Sequence, residues 1–330
     1  MRGARQVTRW TLAVIAVGAV VGSVLGASPL AAQQGTNLQS KCRPGPNTLG
    51  VSRTVEIDAT GGPRFGRMQY RDHDFLQDGE VVLTFDDGPH PKFTPEILDA
   101  LDEHCTKATF FVLGQRALSF PAQLREVGRR GHTIGTHTWS HANLGRSSAA
   151  QVESQIELGI SAVQLALDGP TAPFFRFPYL SDPASAQAYL KSRDIVNISI
   201  DVDSHDFRTK SPSRMISNVM RGLQEKKKGI ILWHDIQPST GTGIRQMLAE
   251  LKARGYRVVH LQPKQSQSTV AAYDERLERD RGSRPRVAAV RPSPTPAVRE
   301  PMPQRVAAPP PSQQRPREYR DWRDTVFGRW

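Results

Sequence analysis

Between Glu80 and Pro263, short β-branched or aromatic runs alternate with amphipathic stretches, and this alternation is the strongest limit on what the chain can fold into. The strand-like runs are Val81–Phe85, Ala108–Leu113, Thr133–Thr136, Pro173–Phe177, Ile195–Ile200, Gly229–Trp233 and Tyr256–Leu261. Helical periodicity marks Thr94–Glu103, Ala122–Arg130, Ser148–Leu167, Pro183–Arg193, Ser213–Glu225 and Thr242–Arg254. Parallel neighbours need a crossover, and a helix between each pair supplies it. Seven β/α alternations over about 180 residues therefore predict a parallel α/β fold, either a barrel or a doubly wound sheet.

Ionisable residues gather where such a fold places its chemistry. Asp86-Asp87 follow the first strand and Gly88-Pro89 then breaks the chain; His137 follows the third strand and Arg176 the fourth. Asp201 and Asp203 follow the fifth, and His234-Asp235 the sixth. An isolated Asp-Asp-Gly is as readily a solvated capping turn. Five strands ending in ionisable groups point instead to a site at the C-terminal ends of the strands.

His137 and His141 are four residues apart, the spacing at which one helical turn presents two imidazoles to one metal ion. With a carboxylate from the Asp pair they make a His-His-Asp set with an open position for water. That donor set suits Zn²⁺, with Co²⁺, Ni²⁺ or Fe²⁺ as other occupants. A metal there would acidify its water and polarise a carbonyl.

The flanks differ from the middle. Arg2, Arg5 and Arg9 precede an apolar run from Trp10 to about Ala27, and small residues follow to Ala32. This is the order of a secretory signal, although the run is nearly long enough for an uncleaved anchor. Either way the body of the protein is expected outside the cytoplasm, whether periplasmic, secreted or anchored. In an oxidising compartment Cys42 and Cys105 form one disulfide or remain two buried thiols. Residues 33–77 read as an irregular extension. Residues 264–330 carry 14 Lys/Arg against 8 Asp/Glu, interleaved with Pro, and read as a disordered basic tail. Such a tail suits an anionic wall polymer or membrane surface, or stays solvated without a partner. Specific nucleic-acid recognition is not expected, and a monomer is.

Five segments occur in order: TFDDGP at Thr84–Pro89, HTWSH at His137–His141, RFPY at Arg176–Tyr179, DSHDF at Asp203–Phe207 and ILWHD at Ile231–Asp235. Together they resemble the motifs of the polysaccharide deacetylase family, the NodB-homology domain of carbohydrate esterase family 4, over residues 78–263. The resemblance implies a distorted (β/α)7 barrel and metal-dependent removal of acetyl groups from a polymeric sugar. It assigns Asp87, His137 and His141 to the metal. Asp86 becomes the general base taking a proton from the attacking water, with Arg176 positioning it. It makes His234 the general acid for the leaving amine, and Asp206 the carboxylate that raises its pKa. The oxyanion falls to the metal and the backbone N–H of Tyr179, and the acetyl methyl to a pocket lined by Leu232. Residue type alone leaves Leu232 open as strand core, and Asp206 as a helix cap. Phe207 stands where the family commonly has Trp, which implies an altered pocket. His205 reads as a surface histidine, and Trp139 and Trp233 as sugar-stacking or core residues. The expected substrate is an acetylated polysaccharide of chitooligosaccharide or peptidoglycan type. An O-acetyl esterase on xylan, or a catalytically silent glycan-binding envelope protein, are the alternatives.

Overall fold

A computed structural model describes residues 42–71 and 73–282. The leader expected in residues 1–32 and the Pro/Arg-rich stretch from 283 onward lie outside the described residues. The chain begins with strands β1 (Arg53–Ile57) and β2 (Arg64–Phe65). Then come β3 (Glu80–Asp86), α1 (Phe93–Glu103), β4 (Thr109–Val112), α2 (Gly114–Ser119), α3 (Pro121–Arg129), β5 (Thr133–Thr136) and α4 (Ala149–Leu167). These are followed by β6 (Phe174–Phe175), α5 (Ala184–Ser192), β7 (Val196–Ile198), β8 (Val202–Asp203), α6 (Pro212–Lys226) and β9 (Gly229–His234). The described chain ends with α7 (Pro238–Ala253), β10 (Arg257–Pro263) and α8 (Ala271–Gly282).

Strands β8, β9, β3, β4, β5, β6 and β7 lie side by side in that order, every pairing parallel. This is the expected distorted (β/α)7 barrel, with a different seventh strand. Because β9 follows β3 from Val81 to Asp86, the other edge of β3 is divided. There β10 takes Glu80 and Val81, and β4 takes Thr84 to Asp86. The run expected as the last barrel strand thus closes only its foot and carries β1 alongside. The seventh place goes to β8, a two-residue strand too short to show a period.

Alternation along β3 sorts its side chains. Val81, Leu83 and Phe85 point into a core shared with Ile97 and Leu101 of α1, Met215 and Val219 of α6, and Trp233. Phe85 stacks between Phe110 and Trp233, at ring-centroid distances of 5.0 and 5.6 Å. Val82 joins the opposite core with Phe111, Ile198 and Ile230, so Thr84 and Asp86 share the barrel interior. The helices are started by local chemistry. Ser148 and Gln151 form a reciprocal capping box on α4, and Pro stands at the first turn of α3, α6 and α7.

Strands β7 and β8 adjoin in sequence but do not pair, which leaves a seam. Part of the extension expected as irregular fills it: β2 pairs with β7, and Gly66 passes so close that a Cβ there would lie 2.6 Å from Ile200 N. Its φ of +104° also favours glycine. Across the seam, Asp201 accepts from Arg67 N at 2.6 Å and from Ile230 N at 2.7 Å. These strands escaped the sequence pattern because β1 alternates polar residues on an edge and β2 has two residues. At the other end, residues 264–282, expected within the disordered tail, instead lead into α8. It is rich in charged residues but buries Leu277 and bonds Tyr273 Oη to Glu153 of α4.

Cys42 and Cys105 are joined by a disulfide, Cα–Cα 5.0 Å, across 63 residues of sequence. Closing a loop of that length stabilises by about 2–4 kcal/mol through the unfolded chain. Cys105→Ser is therefore expected to lower Tm measurably, and unreduced protein to take up no alkylating label. Label on either cysteine before reduction overturns the pairing.

Candidate metal-binding active site

At the C-terminal end of the barrel the interior face of β3 finishes in Asp86, and Arg176, fully buried, reaches it from the segment after β6. Arg176 Nη1 donates to Asp86 Oδ1 and to Thr84 Oγ1, each at 2.8 Å. Its Nε donates to Ile198 O (2.9 Å) and Nη2 to Ser199 O (3.1 Å), while the guanidinium lies 4.2 Å from the Phe111 ring centroid. Burial raises the Asp86 pKa to about 6, against the charges of Arg176 and His234 that pull it down.

Asp87 turns the other way. Its φ of 75° ends the strand, and its Oδ1 lies 3.5 Å from His137 Nε2 and 3.3 Å from His141 Nε2. That buried oxygen has no hydrogen-bond partner. Ligands about 2.0–2.2 Å from a tetrahedral ion stand about 3.4 Å apart, so these spacings fit a shared cation. The donor atoms of all three residues lie within 4.8 Å of one another. His137 Nδ1 donates to Arg176 O at 2.7 Å, which leaves the Nε2 lone pair facing Asp87. Burial, and then the charge of His141, lowers the His137 pKa to about 3 and keeps the ring neutral, as a ligand must be. Burial opposes ionisation of Asp87, but His141 and then His234 outweigh it and hold its carboxyl below the ordinary range.

The two histidines are held by a turn, not by the expected helix. Thr138 (φ 70°) and His141 (φ 62°) are left-handed, and Thr138 Oγ1 accepts from His141 N at 3.0 Å. The carbonyls of Thr138 and Trp139 accept from Gly114 and Gln115, and Trp139 N donates to Gln155 O. With those groups bonded to α2 and α4, helical bonding has nothing left to use.

His234 ends β9 directly opposite Asp86 in register. Its Nδ1 donates to Asp206 Oδ1 and its backbone N to Asp206 Oδ2, both at 2.7 Å; Thr240 Oγ1 also donates to Oδ2, at 2.5 Å. Burial disfavours the imidazolium, but the charge and hydrogen bond of Asp206, with Asp87 and Asp86, raise the pKa to about 10. Leu232 lies two residues earlier on the same face and is buried.

Tyr179 is 61% exposed, its ring edge-on to His141 at 4.6 Å. Tyr179 and Leu180 are both left-handed, φ 59° and 53°, a conformation that costs an L-residue about 1–2 kcal/mol. Phe207, half exposed, packs edge-on against His234, and His205 pairs with Asp203 at 3.0 Å. Trp233 is no sugar platform: it is fully buried on the outer face of β9, its Nε1 3.1 Å from Met215 Sδ. Asp201 serves the seam rather than the site. The sequence reading placed Asp235 at a strand end facing the site without giving it a role, and missed Thr94 as its neighbour. Burial raises the Asp235 pKa to about 7, and its Oδ2 accepts from Thr94 Oγ1 at 2.5 Å. A Cβ on Gly88 would lie 2.0 Å from that oxygen, which accounts for the glycine after the Asp pair. The His-Asp dipeptide at a strand end was the available signal for Asp235; Thr94, in a first helical turn, offered none.

The chain is similar to known proteins over this region. The family profile described as polysaccharide deacetylase matches residues 76–198. The chain is 33% identical over 195 residues to a chitin deacetylase of Colletotrichum lindemuthianum, covering 56% of this chain and 78% of that protein. The chain belongs to the polysaccharide deacetylase family. A peptidoglycan-N-acetylglucosamine deacetylase of Bacillus cereus is 33% identical over 187 residues, 55% of this chain and 66% of that one. Among solved structures, a peptidoglycan deacetylase of Bdellovibrio bacteriovorus superposes with a TM-score of 0.60 at 32% identity, covering 66% of this chain and 61% of that one. The matched stretch thus spans just under two thirds of these two bacterial relatives.

For a polysaccharide deacetylase of this geometry, His137→Ala is expected to weaken Co²⁺ or Zn²⁺ binding more than about 100-fold, since loss of an outer partner alone costs about 10–100-fold. Asp86→Asn should leave binding within a few-fold. Calorimetric titration checks both, and an equal loss in Asp86→Asn would make Asp86 a ligand as well.

Proposed function

We propose that this chain hydrolyses N-acetyl groups on an acetylated cell-wall glycan of peptidoglycan or chitooligosaccharide type. The carrying observation is that Asp86 and His234 face each other across adjacent strands beside the Asp87–His137–His141 triad. The triad would hold one divalent cation, zinc by its donor set, which when bound polarises the acetyl carbonyl and acidifies a water. Asp86, oriented by Arg176, takes the proton of the attacking water. His234, kept cationic and aimed by Asp206, donates a proton to the departing amine. The backbone N–H of Tyr179 would serve the developing oxyanion, and Leu232 would bound the space for the methyl group. Residues 78–263 form the catalytic domain on this reading. An extracytoplasmic location is supported by the leader-like N-terminus, the disulfide and the wall polymers named for the bacterial relatives.

Acetate release from chitooligosaccharides, peptidoglycan fragments and acetylxylan, with and without chelator, tests the reading. Activity on the two N-acetylated glycans, lost on metal removal, is expected. Turnover of acetylxylan alone moves the reaction to esters, and turnover that survives complete metal removal sinks the mechanism. Asp86→Asn should lower kcat by about 10²–10⁴-fold.

The pH dependence follows from the two groups. The base works ionised, so kcat/KM rises with pH through the Asp86 pKa of about 6. The acid works protonated, so kcat/KM falls through the His234 pKa of about 10. A cation beside both draws each limb to lower pH. A profile without an acidic limb contradicts the assignment of Asp86.

A further inference from the structure

We propose that Gln69 and Tyr70, which precede the stretch matched by the family profile, are positioning residues of the active site. They clamp the strained Tyr179–Leu180 turn from outside the barrel. This rests on the deacetylase reading, in which Tyr179 N–H serves the oxyanion.

Two successive left-handed L-residues persist only where their surroundings over-determine them. Here the surroundings come from the segment that seals the seam. Gln69 Nε2 donates to Leu180 O at 2.8 Å, and Gln69 Oε1 accepts from the Ser199 hydroxyl. Ser199 O is in turn an acceptor of Arg176 Nη2, so one side chain touches both the strained turn and the residue that supports the arginine. The buried Tyr70 hydroxyl donates to Asp182 Oδ2 and accepts from Gln187 Nε2 (2.8 Å) and Asn197 Nδ2 (2.7 Å). Gln187 Nε2 also donates to Asp182 Oδ2, at 2.7 Å. The turn is thus pinned on both sides of Ser181, by Gln69 before it and Tyr70 after it. The clamp is itself fixed, because Gln69 N and Tyr70 N both donate to Gly66 O and Met68 N donates to Ile200 O.

Gln69→Ala and Tyr70→Phe test this, with Arg53→Ala as comparator. Arg53 belongs to the same N-terminal segment but pairs with Glu80 at the foot of the barrel, away from the site. Backbone amide exchange across residues 178–182 should quicken about tenfold in Gln69→Ala and Tyr70→Phe and stay unchanged in Arg53→Ala. In the same variants kcat should fall about 10–100-fold with KM within about twofold, as expected for a displaced transition-state contact. Arg53→Ala should lower Tm and leave kcat alone. Unchanged exchange in the two clamp variants overturns the proposal, as does an equal kcat loss in Arg53→Ala. A wild-type protein that releases no acetate refutes the deacetylase reading instead, and amide exchange still decides the clamp.

Discussion

A guanidinium without solvent contact stands at the centre of the barrel, and most of the site depends on how its charge is met. Removing Arg176 from water is tolerable only because Asp86, Thr84, two strand-end carbonyls and the face of Phe111 receive it. Those partners belong to β3, β4 and the end of β7, so satisfying one buried charge also fixes where three strands finish. The backbone of the same residue extends the effect, because its carbonyl takes the Nδ1 proton of His137 and turns Nε2 toward Asp87. One residue thus orients both the carboxylate read as base and an imidazole read as ligand. Without it, His234 would be left as the main charge opposing the burial that pushes the Asp86 carboxyl toward its neutral form.

Adjacent aspartates diverge for a backbone reason. Regular alternation would send Asp86 inward and Asp87 outward among the helices, where an unpaired carboxylate is costly. The left-handed φ of Asp87 breaks that alternation and leaves its carboxylate at the barrel mouth beside two imidazoles. Gly88 then passes Asp235 with no room for a side chain. The Asp-Asp-Gly sequence is therefore a strand end, a reversal and a close approach in three residues.

The parts of this site that could be read from sequence are those set by strand period. Asp86, Arg176 and His234 stand at strand ends because apolar runs stop just before them, and a run is visible without coordinates; His137 follows the short β-branched run Thr133–Thr136. Register is less visible, yet the pairing of β3 with β9 is what places Asp86 opposite His234. The turn at His137–His141 read as a helix because the spacing of four suits both; tertiary bonds to α2 and α4 decided between them. The seam strands were hidden for another reason. Two residues of β2 and two of β8 carry no period, and their pairing rests on Asp201 and on a glycine that admits a close backbone. Helix α8 was lost to composition, since one buried leucine anchors a sequence rich in charged residues.

The acid–base roles proposed for the site rest on two buried groups displaced upward by different causes. Asp86 moves because burial outweighs its arginine, and His234 because Asp206, Asp87 and Asp86 together outweigh burial. A pair shifted in the same direction but starting from different reference values ends well separated, at about 6 and about 10. Near neutral pH the aspartate is then largely ionised while the histidine keeps its proton, the combination in which water can lose a proton as an amine gains one. Their mutual attraction reinforces this state, since each charge lies within the field of the other. The arrangement needs no unusual residue, only a carboxylate and an imidazole on neighbouring strands, with Arg176 behind one and Asp206 behind the other.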